Sequence, residues 1–125
     1  MSSESLHIPR EKLSREARLL HYAITSLKEE LDAVDWYRQR ADDTEDEVLK
    51  QLLLHNMREE MEHASMLMEW IRRNNSDFAG HMRTYLFTDR PILSVEEGTK
   101  DGNGGGRPGR RPDLGPTLGS LKGQR

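Results

Sequence analysis

The sequence predicts an all-α protein: an antiparallel two-helix hairpin with a short third helix, built to pair with a second copy as a four-helix bundle. Leu13, Ala17, Leu20, Ile24, Leu27, Leu31 and Val34 recur at alternating steps of four and three. After an acidic interruption, Asp42-Asp43-Thr44-Glu45-Asp46-Glu47, the same rhythm returns at Leu49, Leu53, Asn56, Glu60, His63, Leu67 and Trp70. Such spacing lays an apolar seam along one side of a helix and suits helix pairing. The remaining Gly and Pro are concentrated near the end of the chain.

Residues 1–12 are polar and read as a frayed N-terminus. Ser14 is a good N-cap for the first helix. Thr44 with Glu47 three residues later reads as a capping box opening the second. Asn74, Asn75 and Ser76 close that helix, and Phe78, Met82, Tyr85 and Leu86 outline a short third helix over about 77–86, with a turn before Pro91. The helical domain is thus expected over 13–93. Residues 94–125, with Gly104-Gly105-Gly106 and Arg110-Arg111-Pro112, read as a flexible, mildly basic tail that lacks the apolar area to fold alone.

Composition narrows the function classes. The 125 residues are 34% hydrophobic and 33% charged, with a net charge of −3. That balance argues against general nucleic-acid binding, which usually needs a basic face. No cysteine is present, so disulfides and thiolate metal sites are not available. No run of about 18 apolar residues could span a membrane, and no signal-like segment opens the chain, so a soluble cytoplasmic protein is the expectation. A lone hairpin has little interior and is expected to bury its apolar face against a copy of itself.

The chemistry concentrates in Glu60-Met61-Glu62-His63. At about 100° per residue, Glu60 and His63 project some 60° apart, within the apolar stripe of helix two. An ionised carboxylate there costs several kcal/mol unless something compensates it. Either the pair marks coiled-coil register, or it holds a metal ion. Glu30 favours the second reading. It lies on the flank of the helix-one stripe, on a line with Ala23 and Tyr37, and at the same level as Glu60 around a turn near 42–46. Two chains about a two-fold axis would then offer four carboxylates and two imidazoles, the ligand set of diiron helical bundles. Carboxylate and imidazole donors suit iron, manganese and zinc alike. Two adjacent Fe(II) ions in such a pocket can jointly reduce dioxygen or peroxide and become Fe(III).

Several neighbours are candidates for lesser roles. Tyr37 could donate a hydrogen bond near the site or simply pack at an interface. Glu29, Asp32 and Trp36 share another face of helix one, as a weak hydrated cation site or as a plain solvated surface. Glu59 and Glu62 flank the ligand pair. His55 could pair with Glu59. Met57, Met61, Met66 and Met68 read as adaptable packing.

The segments Glu29-Glu30-Leu31-Asp32-Ala33-Val34-Asp35-Trp36-Tyr37, His55-Asn56-Met57-Arg58-Glu59-Glu60-Met61-Glu62-His63-Ala64 and Glu69-Trp70-Ile71-Arg72-Arg73 closely resemble the encapsulated ferritins. Tyr85-Leu86-Phe87 and Pro91-Ile92 continue the match, which covers roughly 13–93. The resemblance implies dimers joined through a diiron ferroxidase centre with two irons per interface, and a decameric ring of five dimers. It implies Glu30, Glu60 and His63 as ferroxidase ligands, Trp36 and Tyr37 as motif aromatics, and Glu29 with Asp32 as an outer site where iron first binds. Asp32 stands where members commonly carry Glu, which shortens that arm.

Leu118-Gly119-Ser120-Leu121-Lys122, within a segment at about 114–123, looks like the peptide that docks such cargo inside an encapsulin shell. The expected function is therefore oxidation of Fe(II) to Fe(III), with the product leaving for mineral storage in a surrounding nanocompartment. A non-catalytic helical scaffold and a redox-inactive zinc or manganese protein are the alternatives.

Overall fold

The computed structural model describes residues 6–101, and every regular element among them is helical. After a short 3-10 turn at Arg10–Lys12 come α1 (Arg15–Asp43), α2 (Glu47–Asn74), α3 (Ser76–Tyr85) and α4 (Ile92–Asp101). Two compact units meet within α3, after Ala79. Among these residues no helix is long and apolar enough to cross a membrane.

The first unit is the hairpin. Ser14 caps α1 as its sequence suggests, its Oγ accepting the Ala17 amide at 3.0 Å. The opening of α2 differs from the capping box expected at Thr44. Helix α1 runs on to Asp43, so Thr44 becomes its C-cap, its amide donating to the Arg40 carbonyl at 3.0 Å. The N-cap of α2 is Asp46, whose Oδ1 accepts the Leu49 amide at 3.0 Å. A charged carboxylate at that end also meets the positive pole of the helix dipole, which a threonine hydroxyl cannot match. The Thr44 hydroxyl oxygen instead accepts the Asp46 amide at 3.2 Å and tightens the turn. Asp46→Ala should therefore destabilise the protein by about 0.5–2 kcal/mol, and by more than Thr44→Ala. Urea unfolding of both variants checks the order.

α1 and α2 run antiparallel: Arg15, Glu16, Ala17, Leu19 and Leu20 line a cleft with Trp70, Asn74 and Asn75 from the opposite end of α2. Between the helices the buried residues are Ala23, Ala41, Met57, Ala64 and Ile71. Three of the five are alanines, so the two backbones approach closely but little apolar area is buried. Large apolar side chains stay exposed, among them Tyr22, Leu31, Leu49, Leu52, Met61, Met66 and Trp70. Of the four α2 methionines expected to pack, only Met57 is buried.

Near the end of α2, Glu69 accepts from Arg72 at 2.7 Å and from Arg73 at 2.6 Å. Hydrogen bonds from Arg72 first, then Arg73, hold the Glu69 carboxyl down at about 2. Because the folded value lies below the ordinary one, the contribution to stability is present above about pH 4.5 and disappears as pH falls through about 2. Solvent screening keeps it small. In thermal melts, Glu69→Gln should lower Tm at pH 7 and lose most of that difference by about pH 2.

Asn75 leads into α3, its Oδ1 accepting the Phe78 amide at 2.8 Å. In the second unit α3 ends at Tyr85, and Phe87 in the turn that follows has a φ of 64°. A non-glycine residue in this left-handed region costs roughly 1–2 kcal/mol. The chain then turns, and α4 begins after Pro91, whose carbonyl accepts the Val95 amide at 3.1 Å. This fourth helix carries helical structure past Ser94, where the sequence suggests that a tail begins. Gly98 and Thr99 are poor helix formers and mask it; buried Val95 and the Glu96–Lys100 ion pair at 3.4 Å support it. The segment at about 114–123 lies outside the described residues.

Candidate metal centre

Three side chains converge midway along the hairpin. Glu60 and His63 sit one turn apart on α2, and the register of the hairpin brings Glu30 of α1 to the same level. The two carboxylates are placed symmetrically about Glu45 in the turn. His63 Nδ1 lies 3.2 Å from Glu60 Oε1 and 3.5 Å from Glu30 Oε1. Each residue offers a donor atom, and these atoms all lie within 4.8 Å of one another. Among the described residues this is the group of three His, Asp or Glu side chains so arranged.

The side chains are half-buried, 26% exposed for Glu30, 24% for Glu60 and 45% for His63. The sequence places Glu60 and His63 within the apolar stripe of α2 and Glu30 on the flank of that of α1. In the single chain all three are part-exposed, where a ligand or a partner can reach them.

Their electrostatics are mutually dependent. A hydrogen bond to Glu60 raises the Glu30 carboxyl above its ordinary value, and desolvation adds to the rise. The same hydrogen bond holds Glu60 below its ordinary value, with His63 reinforcing the shift. Glu30 is therefore the carboxyl that keeps a proton longer, and Glu60 accepts it. His63 is raised, chiefly by its hydrogen bond to Glu60. Without a metal, protons carry the positive charge that this cluster attracts. A cation must displace them, because ligands bind deprotonated.

The donor chemistry fits a hard or borderline divalent ion: two carboxylates, one imidazole and no sulfur. Three donors from one chain would leave an iron ion short of a full coordination shell.

The other sequence candidates sit apart from this trio. Glu29 and Asp32 are exposed, and Trp36, 51% exposed, lines a shallow depression with Gln39 and Arg40. Tyr37 is half-buried, with the Arg40 guanidinium 5.7 Å from its ring centroid. That cation–π contact is absent from the sequence expectations, although the i, i+3 spacing of an aromatic and an arginine signals it. Glu59, Glu62 and His55 are exposed.

Fold and site together define a class: small all-helical proteins whose central hairpin carries a carboxylate–histidine cluster. Residues 5–89 match the EncFtn-like family, and the chain belongs to it. It is 50% identical over 103 residues to the encapsulated ferritin-like protein of Rhodospirillum rubrum, covering 82% of this chain and 74% of that one. A ferritin-like protein of Thermotoga maritima is 48% identical over 101 residues, 81% of this chain and 89% of its own length. The encapsulin nanocompartment cargo protein EncC of Myxococcus xanthus is 35% identical over 83 residues, 66% of this chain and 59% of its own. A crystal structure of a Nitrosomonas europaea protein superposes with a TM-score of 0.68 at 50% identity, covering 70% of this chain and 97% of that chain.

Proposed function

We propose that this protein is a ferroxidase whose centre is completed by two copies of the chain. Each contributes Glu30, Glu60 and His63, so that four carboxylates and two imidazoles receive two Fe(II) ions. Four carboxylate charges balance two divalent cations. Each iron gives up one electron, and dioxygen, taking two electrons and two protons, leaves as hydrogen peroxide. The observation that carries this reading is the convergence of the three donors within 4.8 Å, on a flank of the hairpin open to a partner.

Pairing is supported by the thin interior of the hairpin. Leu49, Leu52 and Trp70 are 43%, 54% and 37% exposed in the single chain. Helical phase puts them on the same flank of α2 as His63, within about 40° of it. Burying such a strip against its symmetry mate excludes water and supplies the missing ligands together. Five such dimers in a decameric ring are the assembly proposed. Exposed Glu29 and Asp32, with Trp36 beside them, form an outer acidic face that draws Fe(II) toward the centre. In this reading Tyr37, on the Glu30 line of α1, donates a hydrogen bond near the completed centre.

The hairpin encloses no storage cavity, so the Fe(III) product is assigned to an encapsulin nanocompartment in the cytoplasm. Leu118, Gly119, Ser120 and Leu121 of the tail dock the protein on its shell. Two named relatives, an encapsulated ferritin-like protein and an encapsulin cargo protein, support that placement.

Aerobic Fe(II) titration, followed by oxygen consumption, absorbance and native mass, tests the proposal. A ferroxidase binds two irons per dimer and consumes oxygen. A protein that binds zinc or manganese but consumes no oxygen on Fe(II) addition, or one that binds no metal, overturns it.

A further inference from the structure

A centre that makes hydrogen peroxide between two protein chains exposes its own surroundings to an oxidant. The chain has no cysteine, so thioethers are its only sulfur nucleophiles. Four methionines lie on α2: Met57, Met61, Met66 and Met68. They differ in two independent respects, position around the helix and access to solvent.

Position is set by helical phase. At about 100° per residue, Met66 projects about 60° from His63, one turn further along the same flank. Met57, Met68 and Met61 project about 120°, 140° and 160° from His63, toward the hairpin core or the opposite face. Exposure points to the same residue. Met66 is 59% exposed, against 44% for Met61, 39% for Met68 and 9% for Met57. Met66 therefore combines a thioether that its own chain leaves uncovered with the i, i+3 relation to His63 that makes two helix side chains neighbours; Met57 has the same spacing from Glu60 but is buried in the hairpin.

We propose that Met66 is the site at which peroxide leaving the centre is intercepted, becoming methionine sulfoxide. This rests on the ferroxidase reading, which supplies the oxidant. The thioether sulfur attacks one peroxide oxygen and the O–O bond breaks. That oxygen stays on sulfur, and the other departs as water with both peroxide protons. Sulfur loses two electrons and peroxide gains them. The trap acts once per chain, and sulfoxide reductases restore it. Hydrogen peroxide is neutral near pH 7, so exposed Glu59 and Glu62 on the same helix do not repel it as they would an anion.

The test uses the full-length protein with Fe(II) under air, catalase in the buffer, and peptide mass spectrometry of every methionine. Oxidation at Met66 should exceed that at Met61 and Met68 several-fold and persist with catalase present, because capture precedes escape to solution. Hydrogen peroxide added to metal-free protein should instead spread oxidation over Met61, Met66 and Met68 by exposure, and catalase should abolish it. Met66→Leu should oxidise Fe(II) at the unchanged rate while releasing more peroxide per iron. Oxygen consumption with no preference for Met66, or a preference erased by catalase, overturns the inference and leaves the ferroxidase reading standing. Absence of oxygen consumption overturns both.

Discussion

Glu60→Ala and His63→Ala should each abolish stoichiometric iron binding and slow Fe(II) oxidation by at least the roughly 10–100-fold that losing even an outer partner of a metal ligand costs. The expectation follows from the half-site. Under two-fold symmetry each substitution removes two donors from one centre, and Glu60→Ala also leaves only two carboxylates against two divalent cations. Glu60 should be the more damaging loss, since its carboxylate accepts from both Glu30 and His63. Without it, Glu30 and His63 both lose the hydrogen-bond partner that chiefly raises their proton affinity. Stopped-flow absorbance with Fe(II) and native mass of the loaded dimer measure both effects. Unchanged oxidation kinetics in the two variants would remove the centre from this location, whatever the family resemblance.

A chain ending at residue 113 should oxidise Fe(II) as the full chain does, yet fail to co-purify with a co-expressed encapsulin shell. The deleted stretch contains Leu118-Gly119-Ser120-Leu121, in which two leucines separated by small residues can fill shallow apolar pockets as an extended strand. If the peptide docks as proposed, the Gly- and Pro-rich stretch before it would tether the assembly and raise its effective concentration at the shell wall. Separating the two activities in one truncation makes the claim sharp: persistent loading of the truncated chain refutes targeting by this peptide, and lost oxidation would mean the tail contributes to the catalytic assembly.

Much of the fold was legible because local chemistry and long-range packing agree. The seams from Ala17 to Val34 and from Leu49 to Trp70 fall within α1 and α2, with Leu13 just ahead of the first helix, and Ser14 caps α1 as its hydroxyl suggests. The candidate site was legible for a related reason. A Glu and a His one turn apart must share a flank of any helix, and a short turn forces Glu30 near their level.

Other features were hidden. Thr44 and Glu47 have capping-box spacing, but which residue caps α2 depends on how far α1 persists, and a helix end is settled by a few competing hydrogen bonds. α4 was masked by Gly98, since propensity cannot see the burial of Val95. The exposure of Met61, Met66 and Met68 escaped a reading that counts apolar residues, because a two-helix unit has too little interior to cover its own apolar surface.

The sequence by itself determined the helical class, the hairpin register and the three candidate donors, since each follows from periodicities that a helix cannot evade. Only the tertiary structure decided that Glu30, Glu60 and His63 meet within 4.8 Å, that their shared hydrogen bond raises the Glu30 carboxyl and lowers that of Glu60, and that the trio stays part-exposed in one chain. Those outcomes depend on the approach of two helices. Side-chain distances and desolvation vary steeply with that approach, and the spacing of residues along a single helix does not encode it.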